Sequence, residues 1–256
     1  MIVDSHIHTG MTVSGPCIDP STEAVLSLMD HLGIDLAIST NHPLLAGRLQ
    51  KGLDDALDAY RMSEGRILSY AFFDPHFPEE DLDWVRQCLS HKPFVGIKIH
   101  PRRAEIYPDD ERWDPVWRLA SELQVPLLAH TWWVSDYNPG QRFCTPDRFE
   151  HYVKTYPEVD LILGHAGGRF EGHRAAAKLT RSYANVFLDL SGDSYSFGLV
   201  EWFVQQAGAD RILFGSDVTL IDVRTVMGRV LDADIPAEAK AMILGQNALR
   251  LFRLPC

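Results

Sequence analysis

Eight short β-rich runs, separated by amphipathic helical patterns, constrain this 256-residue chain more than any other feature. They read IVDSHIH at the start, DLAIST near residue 36, ILSYAFF near 67, FVGIKIH near 94, VPLLAH near 125, DLILGH near 160, NVFLDL near 185 and RILFGS near 211. Alternation of this kind builds parallel strands joined by helical crossovers. Eight units in about 250 residues suit a sheet closed on itself. The expectation is therefore an α/β chain folded as a (β/α)8 TIM barrel, regular or distorted, with residues 1–256 as one domain.

Helix signals fill most gaps between the runs. Ser21 can cap a helix through AVLSLMDHLG with Gly33 as its stop. Pro78 with Glu79 and Glu80 opens the next clear one. Others are expected over Pro115–Leu123, from Thr145-Pro146 to before Pro157, and near Phe170–Arg181, Leu199–Gln206 and Ile221–Leu231. A last helix from about Pro236 to Phe252 closes the chain.

The ends of the runs carry the chemistry. His6 and His8, His130, His165 and Asp217 each stand where an apolar run finishes, and parallel barrel strands bring all such ends to one rim. His6 and His8 are two apart and so share a strand face, with Asp4 expected below them. Adjacent buried imidazoles need partners for their ring nitrogens, and a shared divalent metal supplies them. The alternative for that pair alone is structural histidines satisfied by hydrogen bonds. Other histidines lack this placement. His31, His91, His151 and His173 sit in or beside helical stretches and read as surface residues, while His42 and His76, in loops on the same rim, read as solvated residues with substrate contact as the alternative.

Lys98 and His100 share a face of the fourth run. A buried lysine is costly unless paired or modified. Lys98 could be carbamylated and help His165 hold a second metal, bind a substrate carboxylate, or reach an acid such as Asp4 or Asp217. Gly164, Gly167 and Gly168 in GHAGG suit a strand-to-helix turn close to a ligand, and Arg169 follows as a candidate anion contact. Two longer loops, His100 to about Arg112 and Thr131 to about Thr145, follow strands on the same rim. Trp132, Trp133, Tyr137 and Arg142 make the second aromatic enough for a pocket wall, or for a homodimer contact. Arg102, Arg103, Arg142 and Arg169 hint at an anionic small-molecule substrate.

Bulk properties exclude some classes. A net charge of −11 without a long run of one sign argues against nucleic acid or a membrane surface as partner. Cys17, Cys88, Cys144 and Cys256 lack metal-ribbon or redox spacing and read as free thiols in a reducing compartment. With no secretory pattern in MIVDSHIH, a cytoplasmic protein is expected. No nucleophile elbow or P-loop spacing is present.

Taken together, VDSHIH, GIKIHP, GHAGG, LFGSD and the C-terminal GQNALRLF resemble the amidohydrolase superfamily, and within it amidohydrolase-related family 2, from His6 to Phe252. The resemblance implies His6, His8 and His130 as metal ligands, and Asp217 as a ligand that is also the general acid/base. It implies His165 beside the metal or on a second one, and a structural role for Asn247. One divalent metal is expected, zinc first and then manganese or iron. The leading expectation is a hydrolase in which metal-activated water attacks an amide, ester or lactone carbonyl, with Asp217 and His165 catalytic and Trp132 and Arg169 contacting substrate. The alternatives are a non-oxidative decarboxylase of aromatic or unsaturated acids, and a catalytically silent barrel that binds a ligand.

Overall fold

The computed structural model describes residues 1–10 and 19–255. Cys17 and Cys256 lie outside the described residues; Cys88 and Cys144 are buried free thiols.

Eight parallel strands form one sheet in sequential order, as expected from the runs. They are β1 (Val3–Ile7), β2 (Leu36–Ser39), β3 (Ile67–Phe73), β4 (Phe94–Ile99), β5 (Leu127–His130), β6 (Leu161–Gly164), β7 (Val186–Asp189) and β8 (Ile212–Leu213). Backbone bonds from Ser5 N to Phe214 O (2.9 Å) and Asp217 N to His6 O (2.8 Å) join the first strand to the segment that ends the last. The barrel is thereby nearly closed. Its strands are buried on both faces, as in a parallel sheet sheathed by helices.

Two apolar layers follow from that burial. Val3, Ile38, Leu68, Tyr70, Leu128, Ile162, Phe187 and Leu213 fill the inside, where Leu251 and Phe252 of the C-terminal helix join them. The larger layer packs the outward strand residues against the surrounding helices. Most helices match the sequence signals. Thr22–Leu32 is capped by the Ser21 side chain and stopped by Gly33, and Pro78–Leu89 opens on its acidic first turn. The C-terminal helix contains a π-helical turn, Met242–Gln246. That turn aims the buried Asn247 amide at the carbonyls of Ala209 and Ile212, both at 2.8 Å.

Three local expectations need correction. An unforeseen helix, Leu49–Met62, links β2 to β3, preceded by a short turn of helix at His42–Leu45. Asp4 does not lie below the histidine pair. The register of β1 shifts between Asp4 and Ile7, and Asp4 joins Ile7, Val25 and Met29 around a small void between sheet and helix. His173 is buried rather than superficial, bonded to Ala166 O (3.0 Å) and Ser194 Oγ (2.8 Å).

Candidate active site

The β1–β8 seam gathers acceptor atoms against one another. His8 Nδ1 lies 2.7 Å from the Thr40 carbonyl, which only accepts, so that nitrogen carries the proton and Nε2 is bare. His6 Nδ1 lies 2.9 Å from Asp189 Oδ2, which assigns the same tautomer and leaves its Nε2 bare. Both bare nitrogens face Asp217 Oδ1, at 3.1 Å from His8 and 4.0 Å from His6. Among the described residues that buried carboxylate oxygen has no aligned hydrogen-bond donor. Lone pairs facing one another in a dry site are costly unless a cation lies between them. The chemistry of His6, His8 and Asp217, with ligand atoms mutually within 4.8 Å, fits a divalent metal.

Their charge states agree with that fit. Burial, aided by the Lys98 charge, pushes His6 down to about 3, so its ring is neutral at neutral pH. Burial alone would raise the Asp217 carboxyl, but the imidazoles of His8, His165 and His6 more than offset it and hold it well below the usual range. Lys98, buried and pushed down to about 8 chiefly by desolvation, places Nζ 2.9 Å from His6 Nε2.

A second cluster adjoins the first. His165 Nε2 is 3.0 Å from His130 Nδ1, and His130 stacks on His100 at 4.1 Å between centroids. The ligand atoms of His6, His165 and Asp189 form another compact group. Its centre is filled by Ser191 Oγ, which lies 3.1 Å from His6 Nδ1 and 2.8 Å from His165 Nδ1. Thus the fold unites His6, His8 and Asp217 directly, and brings His130 to the site through His165. Asp189 and Ser191 are members that the sequence reading left out, and the stacked His100 enters it only for sharing a face with Lys98. Asp189 carried a usable signal, since it closes the apolar run of β7 just as His130 closes β5.

Backbone geometry is unusual at two residues of the cluster. His165 (φ 62°) and Asp217 (φ 64°) are both non-glycine residues in the left-handed region. Such conformations cost roughly 1–3 kcal/mol each and cluster at functional sites.

Above these groups opens a cavity of about 820 Å³. His130, His165 and Asp217 form part of its floor, and Trp132, Trp133 and Phe170 stand in its walls. The Trp132 ring is 5.6 Å from that of His165, and Arg169 lies over Trp132 at 5.9 Å while pairing with Asp193. Gly168 (φ 85°) permits this: a Cβ there would meet the Trp132 ring at 2.5 Å. Arg142 instead packs on Phe143. His42, expected to be solvated, is half-buried with its ring 5.4 Å from that of His8. Among the described residues its Nε2 has no hydrogen-bond partner. His76 is exposed and bonded to Asp74, as a loop histidine should be.

A barrel that collects imidazoles and a carboxylate at the C-terminal ends of its strands defines an amidohydrolase-like architecture. Residues 39–254 match the family model described as Amidohydrolase, and the chain belongs to that family. It is 23% identical over 287 residues to the gamma-resorcylate decarboxylase of Rhizobium sp. (strain MTP-10005), covering 90% of this chain and 86% of that one. Its fold is similar to an uncharacterised TIM-barrel protein from Bordetella bronchiseptica (TM-score 0.81, 16% identity, 99% and 98% of the two chains). It is also similar to the 5-carboxyvanillate decarboxylase of Novosphingobium aromaticivorans complexed with manganese and 4-hydroxy-3-methoxy-5-nitrobenzoic acid (TM-score 0.79, 17% identity, 99% and 96%). Among the described residues, no helix is long and apolar enough to cross a membrane.

Proposed function

We propose that this protein is a metal-dependent, non-oxidative decarboxylase of hydroxylated aromatic carboxylic acids. The observation that carries the reading is the cluster of unprotonated acceptors His6 Nε2, His8 Nε2 and Asp217 Oδ1 beside an aromatic-walled cavity of planar-ligand size. The decarboxylases among its relatives favour this reading over the hydrolysis expected from sequence.

In this proposal His6, His8, His130 and Asp217 hold one divalent metal; manganese is the first candidate because a structural neighbour binds it, ahead of the zinc expected from ligand type. The metal would supply positive charge to a substrate carboxylate and its neighbouring hydroxyl oxygen. Trp132 and Trp133 flank the ring and exclude water, and Arg169 draws the anion toward the mouth. Asp217, ionised at rest, takes the proton of a ring hydroxyl and returns it to the ring carbon as the bond to carbon dioxide breaks. The electron pair of that bond stays on the ring carbon and becomes the new C–H bond. His165, neutral because burial lowers its pKa, meets the His130 ring at 3.0 Å and steadies it beside the cavity.

The test loads the protein with manganese or zinc and incubates it with dihydroxybenzoates and carboxyvanillate, measuring carbon dioxide release. Turnover of these acids is expected. Turnover of lactones or amides with no release from any acid would overturn the reading in favour of hydrolysis.

A further inference from the structure

We infer that Asp189 is a positioning residue that sets the tautomers of two site histidines at once, His6 directly and His165 through the Ser191 hydroxyl. The inference deepens the proposed function, and rests on His6 as a ligand and on His165 as the ring that steadies His130.

The hydrogen-bond directions follow from what each group can donate. Asp189 is buried at the end of β7 and, as a carboxylate, only accepts. Its Oδ2 takes the His6 Nδ1 proton. Its Oδ1 takes the backbone N–H groups of His165 and Ser191, each at 3.0 Å, and the Ser191 hydroxyl proton at 2.5 Å. Because the Ser191 proton points at Asp189, Ser191 Oγ can only accept from His165 Nδ1, 2.8 Å away. His165 is therefore protonated on Nδ1, with a bare Nε2. That Nε2 accepts from His130 Nδ1 at 3.0 Å, and His130 Nε2 in turn faces the Gln141 side-chain amide at 3.3 Å. One carboxylate thus sets the same tautomer in two rings, and His6 keeps the unprotonated Nε2 that a metal needs. Ser191 Oγ occupies the centre of the His6–His165–Asp189 group, so this group orients rings and does not itself hold a cation.

The consequence is read in the metal-free protein by long-range ¹H–¹⁵N spectra of ring-labelled histidine, which distinguish Nδ1–H from Nε2–H rings without any turnover. Wild type should show both His6 and His165 as Nδ1–H. Ser191→Ala should leave His6 unchanged and move His165 out of the Nδ1–H form, and Ser191→Thr, which keeps the hydroxyl, should restore it. Asp189→Asn should lower manganese affinity about 10–100-fold, the usual cost of losing a partner behind a metal-binding imidazole. Ser191→Ala, which keeps the Asp189–His6 bond, should change that affinity less than Asp189→Asn does. An unchanged His165 tautomer in Ser191→Ala overturns the inference, as does unchanged manganese affinity in a folded Asp189→Asn. If Asp189→Asn fails to fold, the Ser191 pair alone decides. The expected tautomers in a protein that decarboxylates nothing would instead sink the functional reading and leave this one standing.

Discussion

At the scale of single residues, the proposed function asks two things of Asp217, to help hold a cation and to move a proton. Asp217→Asn keeps a ligating oxygen and loses the base. It should retain most of its metal by elemental analysis while kcat falls at least about 100-fold. Trp132→Ala should raise KM for aromatic acids more than it lowers kcat, since the ring packs over His165 without touching the acceptor group. The histidines and Asp217 were legible in sequence because a polar residue closing an apolar run stands out. Asp189 met the same criterion, but an acid on β7 belonged to no expected ligand pattern. Ser191 was hidden for a different reason: a serine just past a strand is ordinary, and only the three-dimensional approach of His6 and His165 gives it work.

Elements were more legible than their contacts. All eight strands fell where alternation placed them, because strands buried on both faces leave apolar runs that little else produces. The helix Leu49–Met62 escaped because its buried face is built from small residues, with Gly52, Ala56 and Ala59 beside one leucine, so its apolar stripe is faint. The β1 shift that turns Asp4 outward has no sequence mark either. The C-terminal π-helical turn can be tested through Asn247, whose amide serves two carbonyls near the start of β8. Asn247→Ala should cost about 2–4 kcal/mol in urea unfolding, the price of leaving buried acceptors unpaired. Gly168→Ala should both destabilise the fold and alter Trp132 fluorescence, since the left-handed backbone and the ring contact each oppose a Cβ. A change in stability without any spectral change would mean that Trp132 does not rest on that turn.

For the molecule as a whole, the buried imidazoles dictate how stability responds to acid. His6, His42, His100, His130, His165 and His173 all have their pKa values lowered by burial. Unfolded, they would take up protons near 6.5; folded, His6 waits until about 3 and His42 until about 4. Their contribution is therefore complete above pH 6.5 and drains away as the pH falls toward the folded values. Asp4 and Asp81, raised by burial to about 7 and about 6, act in the opposite sense, with stability lost as the pH rises through those values. The imidazoles outnumber them. The Tm of the metal-free protein should fall between pH 7 and pH 5, and a flat or rising Tm would contradict neutral buried rings.

The seam has a further consequence. His6 belongs to the first strand, His8 directly follows it, and Asp217 follows the last, so the acceptor group spans more than two hundred residues of sequence at a junction that, among the described residues, lacks a continuous ladder. A cation there would act as a clasp, and its binding would be linked to the docking of the two ends of the barrel. During synthesis no such group exists until Asp217 has emerged. In the finished protein, loading should slow hydrogen exchange at the amides of Ser5 and Asp217, which cross the junction, far more than at those of β4, on the opposite side of the barrel.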